Sequence, residues 1–319
     1  MSELRNLGTS SLRVSSFCLG GNVFGWTADA PQSLQLLDAY AAQGGNFIDT
    51  SDSYMNYFPE QGNLPGQSET IIGDWLARRG NREQMVIATK VGDHPQYLGI
   101  EPATIKAAVD ESLRRLRTDY IDLYYLHYDR DESIPVGEVI TALDELVQAG
   151  KVRAIGASNV TPERLSAFLE FSDREGKARF TAVQPPYNLV ARDGYEGGMR
   201  TVVERAGVAC VPYFALASGF LTGKYRAGET VDTVRDVPGL AGGYAGTERG
   251  TKVIDAVGQV AAGRGVELAT VALAWVAQQP TVAAPIASAR TVEQLTALFA
   301  MENVQLTESE LEVLDVASR

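Results

Sequence analysis

Residues 85–127, "MVIATKVGDHPQYLGIEPATIKAAVDESLRRLRTDYIDLYYLH", form a strand–helix–strand unit whose repetition decides the architecture. Residues 85–90 and 121–127 are short apolar runs with β-branched or aromatic members, and the apolar residues of 104–116 recur at helical spacing. Glu101-Pro102-Ala103 supplies the helix start. Working outward, the same alternation predicts strands at 16–19, 46–49, 154–158, 182–184, 208–213 and 282–286, which with these two makes eight. Helices are expected at 33–43, 68–78, 136–149, 161–171, 198–206, and 251–262 with 270–279. Two more follow at 292–300 and 307–316. Pro31-Gln32-Ser33 and Thr161-Pro162-Glu163 mark helix starts, the second as a Thr cap with proline at the first helical position. No composition break or Ser/Gly linker interrupts the series. Residues 1–319 are therefore expected to form a single-domain α/β (β/α)8 barrel, not a doubly wound sheet with a second domain.

Composition bounds what such a barrel does. The 28 Lys and Arg against 40 Asp and Glu leave a net charge of −12, which argues against a footprint for nucleic acid or an anionic membrane. Cys18 and Cys210 belong to no Cys-x-x-Cys pair, so reduced, buried thiols are expected and neither a disulfide nor a zinc site. The opening "MSELRNLGTSSLRV" lacks an apolar signal core, and no run reaches the roughly 18 apolar residues of a membrane span. A cytoplasmic protein is the expectation; oligomeric state is not legible. Nucleotide fingerprints fail: "GGNVFG" (20–25) has the wrong glycine spacing for a dinucleotide turn, and "GRGVEL" (263–268) lacks the third glycine. In "GFLTGKY" (219–225) the glycine spacing is wrong for a phosphate loop, and Tyr225 follows Lys224 where Ser or Thr is required. There is no Gly-x-Ser-x-Gly, His-Glu-x-x-His or Tyr-x-x-x-Lys.

In a barrel, chemistry sits at the C-terminal ends of the strands. Read in order, those ends carry Asp49 with Tyr54 beyond it, Lys90, His127, Ser158-Asn159, Gln184 and Tyr213. Each alone has an ordinary reading: a lysine reaching for water, a turn-capping aspartate, a satisfied core histidine. Their joint occurrence at successive strand ends points to one site.

These residues stand in "FIDTSDSY", "IATK", "LYYLHYD", "GKVRAIGASN", "VQPPYN" and "LTGKY", which resemble the aldo-keto reductases in identity, order and spacing over nearly the whole chain. The resemblance implies a catalytic tetrad of Asp49, Tyr54, Lys90 and His127, and the lack of any metal-ligand spacing fits a site that needs no metal. It implies nicotinamide contacts from Ser158, Asn159 and Gln184, stacking by Tyr213, and further coenzyme contacts at Phe214, Leu216, Ser218 and Lys224 in "PYFALASGFLTGKY". "SDSYMNYFPEQGNLPGQSETIIG" looks like the branch with an extended loop after the tyrosine, and Ala215 stands where Tyr-x-Pro-Leu would place proline. The adenosine end would meet "APIASARTVEQL" at Ser288, Arg290 and Gln294. An arginine beside a helix N-terminus favours a 2′-phosphate, so NADPH ranks ahead of NADH.

The chemistry fits the residues. Reducing a small-molecule aldehyde or ketone, sugar-like ones included, needs a hydride on carbon and a proton on oxygen. Tyr54 can give the proton: a free phenol has a pKa of about 10, so a neighbouring cation, Lys90, is needed near neutrality, with Asp49 orienting the ammonium. His127 would orient the carbonyl, and the coenzyme would carry the hydride. Trp26, Tyr57 and Tyr128, together with Phe58 and Tyr97, follow strand ends and could line the substrate pocket, shaped by the segments 55–67 and 226–249. The alternatives are a coenzyme-sensing regulatory subunit and oxidation of a sugar or alcohol by the same site. A full tetrad favours an enzyme over the regulatory subunit, whereas the residues do not choose the direction, since the same site catalyses both.

Overall fold

A computed structural model describes residues 4–55, 64–225 and 242–319. Strands and helices alternate as β1 (Cys18–Gly20), α1 (Ala30–Ala42), β2 (Phe47–Asp49), α2 (Gln67–Arg79), β3 (Val86–Val91), α3 (Pro102–Leu116), β4 (Ile121–Leu126), α4 (Val136–Gln148) and β5 (Val152–Ser158). They continue as α5 (Pro162–Glu175), β6 (Phe180–Gln184), α6 (Gly198–Ala206), β7 (Ala209–Cys210), α7 (Glu248–Arg264), α8 (Leu268–Ala277), β8 (Ile286–Ala287), α9 (Val292–Phe299) and α10 (Glu308–Ser318). The eight strands form one parallel sheet in the order β7-β6-β5-β4-β3-β2-β1-β8. Its ends meet: Cys210 N donates to Thr281 O at 2.8 Å, Ala283 N to Cys210 O at 2.8 Å, and Ile286 N to Pro212 O at 2.9 Å. The sheet is thus curled into a (β/α)8 barrel, as the alternation predicts.

Local chemistry sets the element ends. Thr161 caps α5 by accepting from Arg164 N at 3.1 Å, with Pro162 in the first turn. α1 starts at Ala30, earlier than the Pro31 signal indicates, because Asp29 and Gln32 form a reciprocal capping box. β7 and β8 are shorter than the extended runs expected at 208–213 and 282–286: Pro212 and Pro285 have no N–H and break the ladder.

Two apolar layers follow from the strand alternation. Ile48, Ile87, Tyr124, Ile155 and Val183 face the helices, whereas Phe47, Val86, Ala88, Leu123, Tyr125, Ala154, Ala182 and Ala209 fill the barrel. Gly156 admits the Tyr125 ring across the interior, since a Cβ there would lie 2.5 Å from Tyr125 Cε1. The pairs Arg5–Asn6 and Arg13–Val14 make a short antiparallel hairpin that closes the N-terminal end with Leu7, Leu12 and Val14. Arg5 Nη1 hooks that plug to the seam by donating to Ala277 O (3.0 Å), Ala283 O (3.2 Å) and Val282 O (3.4 Å). Among the described residues no single helix is long and apolar enough to cross a membrane.

Candidate active site

Alternation along the strands aims the site. Side chains two apart share a face, so Asp49 follows Phe47 inward, Lys90 follows Ala88, His127 follows Tyr125, Ser158 follows Gly156 and Gln184 follows Ala182. All five lie at the C-terminal mouth of the barrel. There Lys90 Nζ lies 2.7 Å from Asp49 Oδ2 and donates to Thr50 O at 2.6 Å and to Tyr54 Oη at 2.8 Å. Tyr54 Oη donates to Asp49 Oδ2 at 3.1 Å, and Gln184 Nε2 to Asp49 Oδ1 at 2.8 Å. The lysine side chain is 0% exposed and the aspartate 2%. An ammonium so far from water persists only because a carboxylate and two oxygens face it.

His127 packs edge-on to Tyr54, ring centroids 6.1 Å apart, and stacks on Tyr128 at 4.7 Å. Arg130 covers the Tyr128 ring at 4.2 Å and is anchored by Asp93 at 2.7 Å. Burial, then Lys90 and Arg130, hold the imidazole well below its usual range, so the ring is neutral. Ser51 Oγ and Ser53 Oγ approach its Nδ1 at 3.2 and 3.4 Å.

The strand ends that follow are tied into a single rim. Asn159, in the left-handed region at φ 52°, donates from Nδ2 to His127 O at 2.9 Å and accepts from Tyr213 Oη at 2.8 Å. Ser158 Oγ donates to Gln184 O at 2.8 Å. Burial first, then Tyr128, pushes the Tyr213 phenol up to about 12. Beyond β7 three non-glycine residues, Phe214, Ala217 and Ser218, adopt positive φ (55°, 48° and 56°), followed by Gly219 at 98°. Such backbone costs on the order of 1 kcal/mol per residue and clusters where a loop serves a ligand. Asn188 Nδ2 braces it by donating to Phe214 O at 2.9 Å. Across the mouth, Ser288 Oγ donates to Asn22 Oδ1 at 2.5 Å, and Arg290 N donates to Gln294 Oε1 at 3.0 Å next to the Thr291 cap of α9.

Asp49, Tyr54, Lys90, His127, Ser158, Asn159, Gln184 and Tyr213 therefore meet as one connected group. Phe214, Leu216 and Ser218 lie on the strained loop and Lys224 at its exposed end, while Ser288, Arg290 and Gln294 line the approach to α9. Trp26 is half-buried in the loop after β1, and Tyr57 and Phe58 lie outside the described residues. Sequence reasoning missed three contacts. Gln184 grips Asp49, Asn188 braces the loop, and Ser51 and Ser53 flank His127; the alternate serines of "TSDS" are the one local signal, and it also fits a plain turn.

The pattern that defines the "Aldo/keto reductase family" matches residues 16–319. The chain belongs to that family. Protein tas of Escherichia coli is 33% identical over 326 residues, covering 95% of this chain and 93% of its own length. Aldo-keto reductase ausK of Aspergillus calidoustus is 34% identical over 96% of this chain and 79% of its own. Norsolorinic acid reductase B of Aspergillus parasiticus is 31% identical over 99% and 84%. This aldo/keto reductase is an oxidoreductase acting on carbonyl chemistry, in a family that uses nicotinamide coenzymes.

Proposed function

We propose that the enzyme reduces the carbonyl of a small aldehyde or ketone to an alcohol with NADPH, Tyr54 acting as general acid. The observation that carries this reading is the buried ammonium of Lys90 held 2.8 Å from the Tyr54 oxygen. As the phenol proton leaves for the substrate oxygen, negative charge grows on Tyr54 Oη beside a fixed cation that needs no rearrangement. Turning the hydroxyl from Asp49 to the substrate gives up one 3.1 Å bond, and Asp49 keeps Lys90 and Gln184. His127, neutral and adjacent, orients the carbonyl by a hydrogen bond. The coenzyme supplies the hydride when bound. The strained backbone from Phe214 to Gly219 and the donors Ser158, Asn159 and Arg290 suit such a dinucleotide, with Arg290 at a helix N-terminus matched to a 2′-phosphate.

Tyr54→Phe tests the assignment because the ring, and hence its packing, is kept. With the coenzyme Kd and melting temperature unchanged, kcat/KM for a panel of aldehydes and ketones should fall about 10²–10⁴-fold. Near-normal turnover would return residues 47–54 to an ordinary turn.

A further inference from the structure

We infer that Ser51 and Ser53, backed by the carboxyl of Asp52, are positioning residues that hold His127 in the tautomer with its proton on Nε2. That leaves an N–H to meet the substrate oxygen, and it rests on the carbonyl-orienting role proposed for His127. The geometry is a closed chain behind the ring. Ser51 Oγ is 3.2 Å and Ser53 Oγ 3.4 Å from Nδ1, the hydroxyls are 3.0 Å apart, and Ser51 Oγ is 3.3 Å from Asp52 Oδ1. All three side chains are fully buried, so these groups, and not bulk water, choose the tautomer.

An imidazole can donate from Nε2 only if Nδ1 accepts, which requires a donor facing Nδ1. Serine hydroxyls donate or accept, so the far end of the chain sets the direction. Asp52 Oδ2 is buried and has no hydrogen-bond partner among the described residues. A carboxylate there would strand a charged oxygen, so the neutral acid is favoured. The groups around it agree: burial first and then Glu69 on α2 push the carboxyl well above the usual range, Asp93 beyond β3 adds to this, and Arg115 on α3 and the Ser51 hydroxyl oppose it. Tyr124 on β4 also faces it and is itself pushed up by burial. Ser51 Oγ donates to Oδ1 when Asp52 is a carboxylate; with the neutral acid that bond reverses, Asp52 giving its proton to Ser51 and Ser51 its own to Nδ1, while Ser53 reaches the same nitrogen. On its other sides His127 faces Lys90 and Arg130, which also favour the neutral ring.

The chain has only two histidines, so ring-nitrogen NMR of enzyme carrying isotope-labelled histidine gives two assignable sets, sorted by His94→Asn. His94, whose Nδ1 accepts from Gln96 N at 3.1 Å, is an internal reference for the expected pattern. The wild-type His127 ring should carry its proton on Nε2. Ser51→Ala/Ser53→Ala should give a mixed population and lower kcat about tenfold, the effect of one misplaced hydrogen bond, with coenzyme Kd unchanged. Asp52→Asn should keep the wild-type ring pattern, since its amide N–H replaces the acid proton toward Ser51. A wild-type proton on Nδ1, a double variant with unchanged ring pattern, or one with changed pattern and unchanged kcat would each overturn the inference. If the double variant fails to fold, the wild-type spectrum decides alone. That spectrum is read without substrate, so an Nε2–H ring in an enzyme that reduces no carbonyl would sink the proposed function and leave the tautomer assignment standing.

Discussion

Replacing Lys90 by Met separates the electrostatic role of the lysine from its bulk. Met keeps most of the stem but removes an ammonium that is 0% exposed and bonded to Asp49, Thr50 O and Tyr54 at 2.7, 2.6 and 2.8 Å. Asp49 would then be a buried carboxylate holding only Gln184 Nε2 at 2.8 Å and Tyr54 Oη at 3.1 Å. Breaking a buried pair in this way costs about 3–5 kcal/mol. With an unfolding entropy near 2.1 cal/mol/K per residue, a chain of this length loses about 4–8 °C in Tm. The cost comes from the stranded charge, so Lys90→Met/Asp49→Asn should recover more than half of it. Calorimetry and urea midpoints on both variants, folded and coenzyme-bound, supply the measurement. Both variants should turn over slowly, because the phenol has lost its cation; kcat/KM should drop by about 10²–10⁴ in each. A double variant as unstable as the single one would show that packing, and not uncompensated charge, sets the penalty.

Three further outcomes follow from the same geometry. Arg290→Ala should weaken NADPH by about 1.5–3 kcal/mol in fluorescence titrations and leave NADH nearly unchanged; equal losses would remove the 2′-phosphate from Arg290. His127→Gln should lower kcat/KM without altering coenzyme Kd, and it should also flatten stability against pH. The folded imidazole sits below its ordinary value, so the unfolded chain takes up the proton first as pH falls through about 6.5, and wild-type stability declines below that point; identical pH slopes in urea unfolding for both proteins would contradict this. Glu69→Ala should cost about 3 kcal/mol or more in urea unfolding, because buried Glu69 accepts from Thr89 Oγ1 and Arg115 Nε at 2.6 Å each and its loss leaves the guanidinium only Ser112 Oγ at 3.4 Å and Glu111 at 4.0 Å; a loss under about 1 kcal/mol would refute that pairing.

The barrel was readable because each strand is an apolar run and several helices carry their own start chemistry, as Thr161-Pro162 shows. Asp49, Lys90 and His127 were readable because a strand that ends in a polar residue of inward parity can point it only at the mouth. Where reading failed, distant geometry was responsible. Pro212 and Pro285 truncate β7 and β8 by withholding N–H groups, although the apolar pattern runs on through both. The Asp49–Gln184 bond joins residues 135 apart, and the serines meet His127 across 76 and 74 positions, which no local pattern encodes. In the sequence Tyr128 is only an aromatic near a strand end, whereas in the structure it stacks on His127 and is covered by Arg130.

The plug at the base of the barrel has a consequence for how the protein is made. Arg5 holds the carbonyls of Ala277, Val282 and Ala283, 272 to 278 positions further along the chain. During synthesis Arg5 therefore cannot reach these partners until residues 277–283 have been made. Until then Leu7, Leu12 and Val14 have no completed barrel to enter. Domains with such remote pairings fold late and expose apolar surface meanwhile. The barrel can close only once the stave at Ile286–Ala287, which pairs with Cys18 and Leu19, has itself been made.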